Sequence, residues 1–185
     1  MRWDNLFDDL EAQLDQLAEA ELAGEVAERS RIEVSKFGLV DRLRPAIGQP
    51  VSVTVPGAPT VVGTLSGVGG SWLLLAEPRG PEVLVPIAAV TSVAGLGNVS
   101  AVPGSAGTVA ERLTLAHALR GIARDRSGVA VGLLDGIVVT GTIDRVGADF
   151  FEIAEHAIDE ARRRGNVAGV RTVPVSAVSL IRRTL

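Results

Sequence analysis

The chain has 185 residues, of which 46% are hydrophobic and 22% charged, so it can bury a core in one or two domains. It contains no cysteine, which excludes disulfides, thiolate catalysis and cysteine-ligated metal sites. No stretch approaches the roughly 18 uncharged apolar residues of a membrane helix, and acids occupy the N-terminal positions where a signal peptide carries an apolar run. We therefore expect a cytoplasmic protein.

Residues 1–36 are predicted to form an acidic amphipathic helix that begins at residue 3. Residues 1–29 carry nine acids and two bases, whereas the rest of the chain has a net charge of +3. Apolar side chains spaced by four and three residues form one stripe along this helix: Trp3, Phe7, Leu10, Leu14 and Leu17. Such a stripe is expected to be covered, either by the same chain or by a second chain, and the pattern leaves both alternatives open.

Residues 37–95 are predicted to form a small β-barrel. A short helix from Leu39 to Arg44 stops at Pro45, and turn residues then separate five apolar runs. The predicted strands are 51–55, 61–65, 72–76, 83–86 and 89–93. Five short strands at this spacing are typical of a small closed or half-closed barrel. Residues 96–108 are uncharged and rich in Gly, Ser and Pro, which indicates a linker.

Residues 109–185 are predicted to form a second barrel that repeats the first. The segment 61–77 aligns without a gap on 139–155, with seven of its 17 positions identical, and 85–93 matches 173–181. A helix ending at Arg124 precedes this copy, and the segment 156–168 is inserted between its third and fourth strands. Two fused copies of one unit can imitate a dimer across a pseudo-two-fold axis.

Matching residues of the two copies suggest matching roles. Gly63 and Gly141 lie mid-strand, where a missing side chain permits a sharp bend. Gly69 and Gly147 are predicted in hairpin turns that require positive φ. Trp72 and Phe150 are predicted to lie in the two barrel cores. Pro86 and Pro174 are each predicted to lie at the start of an edge strand, where no backbone N–H is needed.

A helix, five strands and a closing V-P-x-x-A-V-x-x-V strand resemble the Sm-like (Lsm) and SH3-like small barrels, over about residues 36–95 and 109–183. The Sm nucleotide-binding signature is not matched, because no asparagine follows Ser71-Trp72 or Asp149-Phe150 in the required place. The whole chain also resembles a group of actinobacterial proteins with an MRWD-x-L-F-x-D-L-E start. Some of that group are labelled transcriptional regulators, although no helix-turn-helix pattern is present here.

Few residues suggest chemistry. His117 and His156 are the two histidines, and Glu155-His156 with Asp159-Glu160 is the one cluster of metal-ligand type, for which an exposed polar segment is the favoured interpretation. The pattern therefore predicts no catalytic residue, no metal and no cofactor. Arg162, Arg163 and Arg164, within the inserted segment, are either a solvated helix end paired with Asp159 and Glu160 or a contact for phosphate or an acidic protein face.

These observations favour an α+β, mainly β protein with a long N-terminal helix and two tandem small barrels. The expected function is a non-enzymatic adaptor or scaffold that binds proteins, with its own second copy among the possible partners, through the acidic helix and the barrel edges. The alternative is an RNA- or DNA-associated regulatory protein that uses the arginine-bearing face. An enzyme is the least favoured of the three classes, and a membrane partner is not expected.

Overall fold

Alternating apolar residues form ten short strands in this protein, whose computed structural model describes residues 34–102, 113–157 and 165–183. Along β2, for example, Val61, Gly63 and Leu65 are buried and the residues between them are exposed. The strands are β1 (Pro50–Thr54), β2 (Val61–Val68), β3 (Trp72–Ala76), β4 (Glu82–Pro86), β5 (Ser92–Ala94), β6 (Gly128–Leu133), β7 (Val138–Val146), β8 (Phe150–Glu155), β9 (Gly169–Pro174) and β10 (Val178–Arg183).

Two short α-helices lie wholly within the described residues, α1 (Leu39–Leu43) and α2 (Leu115–Asp125). The hydroxyl of Thr114 caps α2 by accepting from the backbone N–H of His117, at 3.3 Å. Three-residue 3-10 turns follow α1, β4 and β9. The helix predicted over 3–36 lies outside the described residues except for 34–36, so the described part contains no long helix.

All ten strands belong to one antiparallel sheet, in the order β5-β1-β2-β3-β4-β10-β6-β7-β8-β9. The prediction of two tandem five-stranded barrels is therefore wrong. The cause is the pairing of β4 with β10, which we call the seam, where Leu84 lies opposite Ile181 and Val83 opposite Arg182. Separate barrels would have kept both strands as their own edges, whereas the seam makes the sheet continuous.

The halves on either side of the seam have the same strand order. In each half, the fifth strand leads, followed by the first, second, third and fourth. Gly63 lies opposite Val51 in the first half, and Gly141 lies opposite Val129 in the second. Because the seam joins a fourth strand to a fifth strand, the halves meet head to tail, which differs from the pseudo-two-fold arrangement that two fused copies can imitate.

Among the described residues, two buried clusters form the cores, and each receives a side chain from the opposite half. Leu180, on β10 of the second half, packs in the first cluster with Leu73. Leu84, on β4 of the first half, packs in the second cluster with Phe151. This exchange explains physically why the halves do not separate into two barrels, and residues 39–185 form one unit.

The predicted core positions and the predicted conformation of the hairpin glycines are both wrong. Phe150 is 38% exposed and Trp72 is half-buried, so the core positions are the next residues, Leu73 and Phe151, both 0% exposed. Neither Gly69 nor Gly147 has the positive φ predicted from the hairpins. Instead, a Cβ on Gly69 would collide with the Trp72 ring and would approach the Leu113 carbonyl oxygen to 2.7 Å.

The two predicted edge prolines lie elsewhere in their strands. Pro86 and Pro174 end β4 and β9, and each immediately precedes a 3-10 turn. The predicted strand 89–93 is correspondingly displaced, because residues 87–89 form that turn and β5 begins at Ser92. The absent backbone N–H of proline fits the end of a strand as well as its start.

Candidate protein-binding site

The sheet ends at two strands, β5 and β9, which we call the outer edges. All six residues of β9 pair with β8, and the three residues of β5 pair with β1. Within residues 34–102, 113–157 and 165–183, no further strand pairs with the other side of either one. Such a side carries a row of backbone donors and acceptors that can pair with an added strand.

The β9 edge is the longer and the more exposed of the two. Five of its six residues are exposed, Val170 to 60%, and Val173 alone is buried. The Arg171 guanidinium donates to both carboxylate oxygens of Glu155 on β8, at 2.9 and 3.1 Å. This pairing with Glu155 raises the pKa of Arg171 above its ordinary value, so the side chain stays charged.

The β5 edge is short and firmly held. Val93 is half-buried against the first core, whereas Ser92 and Ala94 are exposed. Arg42 donates to the carbonyl oxygens of Gly97 and Val99, at 2.6 and 2.9 Å. These bonds fix the chain after β5, at the start of the segment predicted as a linker, so β5 is presented on an ordered support.

A cleft of about 390 Å³ lies where the two halves meet. Matching residues from both halves line it: Ser71 with Asp149, Pro86 with Pro174, and Ala88 with Ser176. The backbone N–H of Ile87 donates to the backbone carbonyl oxygen of Ser71 at 3.0 Å, and that of Val175 donates to the backbone carbonyl oxygen of Asp149 at 2.7 Å. The Ser71 hydroxyl also accepts from the Leu115 N–H, so the start of α2 is tied to the first half.

A second groove, of about 180 Å³, lies between α2 and the sheet at the seam. Trp72, Leu84, Ile122 and Ile181 contribute apolar walls, and the indole Nε1 of Trp72 is buried without a hydrogen-bond partner among the described residues. An apolar groove of this size offers packing surface, but it brings together no pair of groups suited to proton transfer.

The histidine cluster differs from its predicted environment. His156 is 6% exposed, so the exposed polar segment predicted there is wrong for this residue. Its Nδ1 lies 2.8 Å from the Ala157 carbonyl oxygen and its Nε2 lies 2.8 Å from the Thr142 hydroxyl. Since a carbonyl only accepts, Nδ1 carries the proton and Nε2 accepts from Thr142 in the neutral ring. Both nitrogens are engaged, and the described residues contain no group of three metal-ligand side chains.

The candidate site residues predicted from the sequence all lie outside the described residues. These are the helix stripe Trp3, Phe7, Leu10, Leu14 and Leu17, and the basic run Arg162, Arg163 and Arg164. The sequence predicted binding at barrel edges in general but did not identify β5 and β9 as the open strands. A signal was present in the repeat, because Val83 and Leu84 of the first copy correspond to Arg171 and Thr172 of the second, which marks β4 as covered and β9 as open.

No protein-family model, curated protein or solved structure matches the chain. None of the helices in the described part combines the length and apolar character that crossing a membrane requires.

Proposed function

We propose that this protein is a non-enzymatic cytoplasmic adaptor that binds extended segments of other proteins by adding a strand to its sheet at β9. The observation that carries the proposal is the open side of β9, six residues long and exposed along most of its length. Main-chain hydrogen bonds supply affinity in this mode of recognition, and alternate side chains supply specificity.

The composition of β9 suits a recognition edge. Val170 offers an exposed apolar side chain, and Thr172, on the same face of the strand, is β-branched and favours extended structure. Arg171 is held by Glu155, which limits the loss of side-chain freedom when a partner binds. A partner segment rich in β-branched residues is the expected ligand.

The described arginines do not favour the nucleic-acid alternative. Three arginines of the second half are paired with carboxylates: Arg145 with Glu152, Arg171 with Glu155 and Arg182 with Glu77. A phosphate backbone would have to compete with these acids for each guanidinium. The basic run 162–164, on which the alternative rests, lies outside the described residues.

Affinity capture from the native cell, with and without nuclease, tests the proposal. The bait variant Val170→Lys/Thr172→Lys places two charges on the β9 edge, which should prevent strand addition. Val62→Lys/Thr64→Lys is a matched control, because these residues have the same identities and spacing and are also exposed, but β2 lies inside the sheet.

We expect nuclease-resistant partners that bind the wild type and the control but not the β9 variant. Hydrogen exchange should then show protection of amides within 169–174 when the captured partner is added. Partners that nuclease releases would favour the regulatory alternative, and partners that the β9 variant retains would contradict strand addition.

A further inference from the structure

We infer that Arg171 selects the partner of the β9 edge, and that the segment added there carries a glutamate opposite Arg171 with a β-branched residue on each side of it. The inference rests on the proposed function, because it needs β9 to accept a strand. Its basis is the direction of the backbone groups along β9 and the way in which Glu155 holds the Arg171 guanidinium.

The hydrogen bonds between β8 and β9 show which backbone groups of β9 remain open. The Val175 N–H donates to the Asp149 carbonyl oxygen at 2.7 Å, so this pair is hydrogen-bonded. Along an antiparallel ladder, hydrogen-bonded pairs alternate with non-hydrogen-bonded ones. In the register of β8 and β9, the backbone groups of Arg171 therefore face β8, whereas those of Val170 and Thr172 face the open side.

This alternation puts Arg171 at a non-hydrogen-bonded position of an antiparallel strand added to the open side. At such positions the two Cα atoms are about 4.5 Å apart, and the side chains lie closer together than in hydrogen-bonded pairs. Opposite charges at directly facing positions stabilise a pair of strands, and like charges destabilise it. Arg171 is therefore the position at which the edge distinguishes partners by charge.

The Arg171 guanidinium has free donors for a second carboxylate. It donates from Nε and Nη2 to the two carboxylate oxygens of Glu155, at 2.9 and 3.1 Å. A guanidinium carries five N–H groups, so two on Nη1 and one on Nη2 remain. One from each nitrogen points along the end of the group, where a partner carboxylate can accept two parallel hydrogen bonds.

The acid of the same ion pair offers less to a partner. Glu155 belongs to β8, so two strand spacings, about 10 Å, separate it from an added strand, whereas one spacing separates Arg171. Its side chain is 30% exposed, against 49% for Arg171. Glu155 also repels the incoming carboxylate at a site open to water and salt, so we expect a preference of about fivefold for glutamate over glutamine.

The neighbours of Arg171 limit the rest of the recognised segment. Partner residues facing Val170 and Thr172 lie in hydrogen-bonded pairs, where β-branched side chains favour the extended chain. Pro174, the next residue of β9 that faces the open side, has no N–H to donate. The expected ligand is thus an extended protein segment with glutamate between two β-branched residues.

Three labelled, capped peptides test the inference on the full chain. Each has seven residues, alternates Thr and Val, and carries Glu, Gln or Lys at its centre. In fluorescence anisotropy, the wild type should bind the Glu peptide about fivefold more tightly than the Gln peptide and the Lys peptide least, with differences that shrink as salt is added. Hydrogen exchange should show new protection at the amides of Val170 and Thr172 but not at that of Arg171.

A charge swap separates recognition by Arg171 from a merely structural role of its ion pair. Arg171→Glu/Glu155→Arg keeps an ion pair between β8 and β9 but reverses its direction, so it should bind the Lys peptide about fivefold more tightly than the Gln peptide. The matched control is Arg145→Gln. Arg145 is also paired with a glutamate, Glu152, at 2.8 Å, but on strands inside the sheet, so the wild-type preference should persist.

The outcomes distinguish the inference from the proposed function. Equal binding of the three peptides, no binding of any of them, or a preference for Glu that survives the charge swap would each overturn the inference. If the peptides bind without regard to charge and Val170→Lys/Thr172→Lys abolishes binding of the Gln peptide, the inference fails while the proposed function stands. If that variant still binds the Gln peptide, strand addition at β9 fails as well.

Discussion

Strands β4 and β9 have the same place in their respective halves but opposite surroundings. Because β10 covers β4, Val83 and Leu84 are buried there, and Leu84 enters the core of the other half. No described strand covers β9, and the corresponding residues are the exposed Arg171 and Thr172. The neighbour across an edge, more than the position of a strand in the repeated unit, therefore determines which residues the strand carries.

The largest effect is expected from the pair of residues that fill the two cores, Phe151 and Leu73. Phe151→Ala should lower the free energy of unfolding by about 4 kcal/mol and Leu73→Ala by about 3 kcal/mol, because both side chains are fully buried. Since the cores exchange Leu84 and Leu180, urea unfolding followed by circular dichroism should remain a single transition in both variants. Two separated transitions would show that the halves unfold independently.

Next in size is the contrast between the seam and the outer edge. Leu84→Ala should cost about 3 kcal/mol, since Leu84 is 5% exposed and packs in the second core. Thr172→Ala, at the matching position of β9, should change stability by less than about 0.5 kcal/mol. Equal losses in urea unfolding would mean that β9 is covered as thoroughly as β4, and would contradict an open edge.

Much of the local structure follows from patterns that the sequence displays. Turn residues bracket β3, which begins and ends at the predicted residues, 72 and 76. Which residue of a strand faces the core is ambiguous, however, where two apolar residues are neighbours. This is so for Trp72 and Leu73 in β3 and for Phe150 and Phe151 in β8. Period-two patterns cannot decide between such neighbours when one packs in its own core and the other faces α2 or solvent.

The seam could not be predicted from the same patterns. Hydrophobic alternation identifies strands and their buried faces, but the pairing of β4 with β10 joins segments about 100 residues apart and depends on how the whole halves pack. The open edges depend in turn on the seam, so the candidate site could be recognised only once the strand order was known. The sequence predicted binding through barrel edges in general, without identifying β9.

A smaller effect is expected from the mid-strand glycines. Val at position 63 would bring its Cβ to 2.7 Å from the carbonyl oxygen of Ala76, and at position 141 it would lie still closer to that of Ala154. Gly63→Val should cost about 2 kcal/mol, and Gly141→Val more than that. The control is Gly121→Ala on α2, where a Cβ meets nothing within 4 Å and helix propensity should raise stability by about 1 kcal/mol. A smaller loss at Gly141 than at Gly63 in thermal unfolding would contradict this ranking.

The smallest effect is expected from the two ion pairs that hold Glu77 and Glu155. Glu77 and Arg182 connect the halves at 3.4 Å and are partly exposed, so a double-mutant cycle with Glu77→Gln and Arg182→Gln should give a coupling below about 1 kcal/mol that decreases with added salt. The halves should stay joined in the double variant, because burial of Leu84 and Ile181 holds the seam. Arg171 and Glu155 are more exposed, and their double-mutant cycle should give a smaller coupling energy.

The pH dependence of stability gives the last prediction. Because pairing with Glu155 raises the pKa of Arg171, the contribution of Arg171 to stability is present below the unfolded-state pKa. It is lost only as the pH rises through the folded-state pKa, which lies above the ordinary arginine range. Arg171→Gln should therefore leave the dependence of stability on pH unchanged between about pH 6 and pH 9, and a difference between the wild type and this variant within that window would show that Arg171 is not the permanently charged partner of Glu155.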